Sequence, residues 1–109
     1  MRDTSELTAA AERFADRLRA APQSRLERGA AAEGLRLARE LATRAQRAEF
    51  PGRPPLTMPD AGMFAVADQL VVAAADLAET LRTAPAGAPE GDLDEAVRLV
   101  REAEGRSGL

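Results

Sequence analysis

The 109-residue chain has no cysteine, histidine, lysine, tyrosine, tryptophan, isoleucine or asparagine. Each gap removes a kind of chemistry. Without cysteine there is no disulfide, no thiolate nucleophile and no iron–sulfur ligation. Without histidine there is no imidazole base and no imidazole metal ligand. Without lysine, Schiff-base chemistry and the phosphate-loop lysine are gone. Carboxylate, guanidinium and hydroxyl groups remain, and no Ser or Thr has an obvious base beside it. The sequence therefore predicts no catalytic residue, no cofactor and no tightly bound transition metal, since such metals prefer His and Cys. The missing cysteines leave the redox compartment unread, and a cytoplasmic location is compatible with them.

The same gaps have a simple genetic cause. Ala, Gly, Pro and Arg use GC-rich codons, whereas Lys, Asn, Ile and Tyr use AT-rich ones. A high-GC bacterial genome gives this profile, so the Arg-only basicity is not read as an adaptation to phosphate.

What is present fits one folded domain, with 45% hydrophobic and 30% charged residues. The formal net charge is −3 and is unevenly spread. Residues 1–53 carry eleven Arg against eight acids, and residues 54–109 carry four Arg against ten. An acidic whole argues against a dedicated nucleic-acid binder. No apolar run follows a basic start, so no signal peptide is expected. The most apolar stretch, Ala61 to Ala78, contains Asp68, Gln69 and Asp76 and is too polar to span a bilayer.

Apolar spacing predicts helix nearly everywhere. A first helix is expected over Thr4–Ala21, capped by Asp3 with Glu6 as reciprocal partner, burying Leu7, Ala11, Phe14 and Leu18. A second is expected from Ser24 to Glu49, with a Ser24–Glu27 capping box. Its wide apolar face holds Leu26, Ala30, Gly34, Leu37, Ala38, Leu41, Ala45 and Ala48, with Leu35 at one edge. A third is expected over Pro59–Thr83, burying Met63, Val66, Ala67, Leu70, Ala74, Leu77 and Leu81. Phe64 and Val71 flank that stripe, and Ala84, Pro85 and Gly87 close the helix. A fourth is expected over Asp92–Glu104, capped by Asp92 and Glu95, with Leu93, Ala96, Val97 and Val100 inward. The two long middle helices match in length and carry small residues along one seam. The predicted fold is all-α: an up-down four-helix bundle built around a long antiparallel hairpin of the second and third helices. Residues 1–104 form its single domain, and 105–109 are expected to be a flexible tail.

Four features are candidate sites. The loop Phe50–Met58 is longer than most bundle connections, which run about 2–8 residues. Pro51, Pro54 and Pro55 stiffen it toward polyproline geometry. Its apolar groups Phe50, Leu56 and Met58 either face a partner or fold back to plug the end of the bundle. Arg28, Arg36, Arg39 and Arg47 form a basic face on the second helix, suited to an acidic partner or phosphates, or to a solvated face paired with Glu33 and Glu40. Asp68, Asp76 and Glu79 on one face offer oxygen ligands for Mg²⁺ or Ca²⁺, or form a solvated face, and no calcium loop is among them. Val72, with Ala65 and Ala75, lies on the face opposite the buried stripe.

Phe50-Pro51-Gly52 resembles the aromatic-x-Gly turn of small secreted helical-hairpin proteins of the Trp-x-Gly type, which are similarly long, acidic and free of cysteine. The resemblance implies an exported helical hairpin. The chain departs from that pattern in having Phe for Trp, four helical segments, and no Tyr of the family's C-terminal export signal.

The function expected from these features is a non-enzymatic protein–protein interaction module, binding itself or another protein. Alternatives are a nucleic-acid-binding or regulatory protein using the Arg face, and an exported hairpin. Ala supplies about half of the hydrophobic residues and buries little area each. The apolar arcs of the middle helices are wider than two short flanking helices cover. A leftover strip is therefore expected against a second copy or another protein, with Leu35, Phe64 and Val71 as contacts.

Overall fold

A computed structural model describes residues 3–84 and 91–109. Four long helices surround one core, and no strand occurs among the described residues. They are α1 (Ser5–Ala20), α3 (Ala31–Glu49), α4 (Val66–Arg82) and α5 (Gly91–Arg106). A short turn, α2 (Gln23–Arg25), and a stretch kinked at Gly29, Leu26–Ala30, lead into α3.

Most of the apolar positions read from the sequence are buried, although Ala48 is exposed and Met63 and Leu93 are only half-buried. Leu7, Ala11, Phe14 and Leu18 of α1 are enclosed, as are Leu37, Ala38 and Leu41 of α3. Leu70, Ala74 and Leu77 of α4 join them, with Ala96 and Val100 of α5. Phe14, Leu7, Leu41, Leu70 and Val100 are the largest fully enclosed side chains. Burying each is worth about 1.5–3 kcal/mol.

The helix starts differ from expectation. Asp3 accepts the Ser5 N–H at 3.0 Å, but the cap position is Thr4, which makes no side-chain cap bond. Glu6 does not close the box but pairs with Arg101 at 2.7 Å. The Ser24–Glu27 box is absent: α2 starts at Gln23 behind Pro22, and Glu27 accepts the Gln23 side-chain amide at 2.8 Å. The expected second helix is also not continuous. Gly29 adopts φ 147° and ψ −15°, a conformation open to glycine, and kinks the chain there.

The third helix begins seven residues later than expected, at Val66 instead of Pro59. The Asp60 carboxylate accepts the Gly62 N–H at 2.9 Å, forming an Asx turn. Gly62 has φ 95°, and its carbonyl accepts the Ala65 N–H at 3.1 Å. These local bonds replace the first helical turns. The expected closing residues Pro85 and Gly87 lie outside the described residues.

The antiparallel hairpin of the two middle helices is corrected by the contacts between them. Gly34, near the start of α3, packs directly on Val66, the first residue of α4. At the other end, Ala45 and Glu49 line one groove together with Thr80, Leu81 and Thr83. The two helices therefore run parallel. Such an arrangement needs a crossover, and residues 50–65 supply it by running back along α3. Arg19 of α1 meets Asp68 of α4 at 2.8 Å, so α1 is antiparallel to α4. Arg44 meets Glu95 at 3.9 Å and Arg106 meets Glu33 at 3.2 Å, so α5 is antiparallel to α3.

The C-terminal residues are placed against the other helices. Helix α5 continues to Arg106, past the expected end at Glu104. Ser107 is buried, Leu109 packs on the core, and Arg25 donates to the Gly108 carbonyl at 2.8 Å.

Candidate functional site

The crossover is built from backbone held by side chains. Gln46 of α3 donates its amide to the Leu56 carbonyl at 3.1 Å and accepts the Leu56 N–H at 2.8 Å. Arg39, two turns earlier on α3, donates to the Met58 carbonyl at 2.8 Å. Gln69 of α4 donates to the Pro59 carbonyl at 3.0 Å. Three side chains from two parallel helices thus grip a proline-rich segment through its main chain. Prolines leave their neighbours' carbonyls without helical partners, and these long polar side chains satisfy them. The Gln69 side-chain oxygen is buried without a hydrogen-bond partner among the described residues.

This grip splits the loop's three apolar side chains. Met58 turns inward and packs on the core. Leu56 points outward and is 80% exposed. Phe50 is 46% exposed, with the Arg53 guanidinium over its ring at 5.2 Å. The loop neither plugs the end of the molecule nor presents all three groups.

The strip expected from Leu35, Phe64 and Val71 separates in the same way. Leu35 is buried on α3, and Val71 packs on the core. Phe64 is 74% exposed, because it falls in the turn before α4 and not on the helix. Val72, on the outer face of α4, is also exposed. Phe50 and Leu56 lie beside Gln46 near the C-terminal end of α3, whereas Phe64 lies beside the Gly34 end. The exposed groups therefore mark two separate places.

Between them lies an open groove of about 970 Å³, bounded by α3, the crossover and α5. Its floor includes Leu35, Met63, Val66 and Leu99. Arg36, Arg39 and Arg106 line it together with Glu27, Glu40 and Asp60, so it has no field of one sign.

Of the four Arg of the basic face, Arg36 and Arg39 are engaged within the chain, whereas Arg28 and Arg47 are exposed and make no ion pair among the described residues. Arg36 pairs with Glu33 at 3.0 Å, not with Glu40. Arg44 pairs with Glu40 at 2.9 Å, and Arg39 is committed to the crossover. Of the acids on α4, Asp68 pairs with Arg19, and Glu79 pairs with Arg82. No cluster of three acids able to hold a metal occurs among the described residues. No helix among the described residues is long and apolar enough to cross a membrane.

Two carboxylates act as junctions: Glu104, which spacing did not single out, and Glu33, expected only as a partner within its own helix. Glu104 on α5 is 12% exposed and receives Arg17 at 2.8 Å and Arg13 at 3.4 Å. Glu33 on α3 is 16% exposed and receives Arg36 and Arg106. Only their lack of an i,i+4 basic partner C-terminal to them hinted at partners elsewhere in the chain.

No protein-family model matches this chain, and neither a curated protein nor a solved structure is similar to it.

Proposed function

We propose that this protein is a small four-helix bundle acting as a non-enzymatic protein–protein interaction module, associating with itself or with another protein. The observation that carries the reading is the placement of its aromatic residues. Of three Phe in the chain, only Phe14 is in the core, while Phe50 and Phe64 are exposed. Leu56 and Val72 are exposed as well. Exposed aromatic and Leu side chains on so Ala-rich a molecule are its largest sources of binding energy. The absence of Cys, His, Lys and Tyr from the chain supports a binding role over a catalytic one.

Sedimentation equilibrium of the full chain tests the self-associating form. The expected result is a weight-average mass that rises with concentration and falls back in a Leu56→Asp variant with an unchanged helical melt. A monomer at every concentration, with a concentration-independent melt, removes self-association.

A further inference from the structure

The four helices belong to two halves that hold each other and not themselves. The first half is α1 and α3, and the second is α4 and α5. Helix α3 packs along α4, α4 along α1, and α1 and α3 along α5. The partners within each half, α1 with α3 and α4 with α5, face diagonally across the core and touch little. Neither half buries its apolar face without the other. Their charges are also complementary, because residues 1–53 carry the excess of Arg and residues 54–109 the excess of acid. Arg17 reaches Glu104, Arg19 reaches Asp68 and Arg44 reaches Glu95, each from the first half to the second. Glu6–Arg101 and Glu33–Arg106 run the other way.

The halves are joined only by the crossover at 50–65. From Glu49 back to the level of Gly34 it covers about 22 Å at 1.5 Å per helical residue. Fully extended in polyproline geometry, the same segment spans about 50 Å. It is attached by the side chains of Arg39, Gln46 and Gln69 bonded to its backbone and by Met58 and Met63 packed on the core, and Leu56 and Phe50 on it remain exposed.

We propose that the partner in self-association is a second copy of this chain that exchanges its second half, so that α4 and α5 of each copy pack on α1 and α3 of the other. This deepens the self-association reading above and rests on it. Exchange retains every contact between the helices of the two halves; it costs the entropy of bringing two chains together and the bonds that Gln46 and Arg39 make to the closed crossover. The opened crossovers then run beside one another at the two-fold axis, where Leu56 and Phe50 of both copies become covered. That newly covered apolar surface offsets the cost and makes the dimer concentration-dependent.

The test uses the absence of native cysteine. Arg19 and Asp68 are exposed, bonded at 2.8 Å, and belong to different halves. Full-length Arg19→Cys and Asp68→Cys variants are unfolded, mixed, refolded together at high concentration, and treated with a short bismaleimide. Exchange brings Cys at 19 of one chain beside Cys at 68 of another, so a covalent dimer containing one of each forms. It is expected several-fold above the dimer from either variant alone, and reduced by Leu56→Asp introduced into both. A non-covalent dimer by sedimentation without the mixed covalent product overturns exchange and leaves self-association standing. A monomer throughout overturns both. A mixed product no more abundant than the single-variant products, or one undiminished by Leu56→Asp, also overturns the proposal.

Discussion

A Cβ placed on Gly34 would lie 2.6 Å from Cγ1 of Val66 and 3.0 Å from Cδ1 of Leu18. At this point α1, α3 and the start of α4 converge. Gly34 is tolerated inside a helix there because any side chain would push the first turn of α4 away. Gly34→Ala gains about 1 kcal/mol of helix propensity and loses about 1–3 kcal/mol to overpacking. The net expectation is a lower midpoint in urea. Val66→Ala in the same background relieves part of the clash, so the double variant is less destabilised than the two single losses added together. Additive losses would mean that the two residues do not share this contact.

The three Phe residues predict a sharp contrast in stability. Phe14 is fully enclosed. Phe14→Ala is expected to cost about 3–5 kcal/mol, enough to unfold much of a small domain. Phe50→Ser and Phe64→Ser remove groups already in contact with water, and are expected within about 0.5 kcal/mol of the parent. Denaturant melts of the three variants check this directly.

The helices and their inward faces were legible because burial follows the 3.6-residue period. Leu7 to Leu18, Leu37 to Ala45 and Leu70 to Leu81 are inside for that reason. Helix direction was not legible, because it depends on what lies between Glu49 and Val66. The pattern Met63, Val66, Leu70 suits a helix, and it hid the Asx turn at Asp60 and the positive φ of Gly62. Asp followed by Gly two residues on is a turn signal, and it was the available clue. Starting the helix at Pro59 left only residues 50–58 to join the two helices, which suits antiparallel neighbours better than a crossover. Starting it at Val66 leaves enough chain for a crossover. The same shift moved Phe64 off the helix and into solvent. Leu35 was misplaced for another reason: an edge position on a wide apolar arc is covered once the neighbouring helix and the crossover are present.

Gly29 predicts a change of shape. Its φ of 147° is strained for any residue with a Cβ, although nothing lies within 4 Å of where that atom would sit. Gly29→Ala therefore favours a straight helix through residue 29. Straightening swings Leu26, now buried, away from the core. The expected outcome is slightly higher helical ellipticity with a lower melting temperature. A higher melting temperature would show that the kink is dispensable.

Acid weakens the fold through carboxylates whose charged form is favoured in the folded state. The hydrogen bond from Arg98 holds Glu95 below the usual carboxylate range, against a smaller opposing effect of desolvation. Hydrogen bonds from Ser5 hold Asp3 below its usual range. A depressed folded pKa gives stability that is fully present above the unfolded pKa, about 4.3 for Glu and 3.9 for Asp. It is lost as pH falls from there through the lower folded values. Both groups are at the surface, so the effect is shallow and weaker in high salt. Stability measured from pH 6 to pH 2 should fall below about pH 4, and Glu95→Gln should flatten part of that fall. An identical acid limb in the variant would mean that Arg98 does not stabilise the Glu95 carboxylate.

The crossover's attachment can be read at a single amide. The Leu56 N–H is bonded to the side-chain oxygen of Gln46, and the amide of Gln46 returns to the Leu56 carbonyl. Leu56 itself is 80% exposed, so little besides this clasp shields its N–H from exchange with water. Gln46→Ala removes both bonds and leaves the helical backbone of α3 intact, since Ala is the better helix former. The pair is partly open to water, so its net worth is about 1 kcal/mol. That corresponds to roughly fivefold faster hydrogen exchange at Leu56. Amides in the core of α3, such as those of Leu37 and Leu41, should slow or hold, because their opening does not require the clasp to break. Gln46→Glu keeps an acceptor for the Leu56 N–H but puts an oxygen against the Leu56 carbonyl. It should therefore fall between the parent and Gln46→Ala, or below both where repulsion prevails. Leu56 exchange unchanged in Gln46→Ala would mean that the segment is held by Arg39 and Gln69 alone, and that the two-bond clasp contributes nothing to its placement.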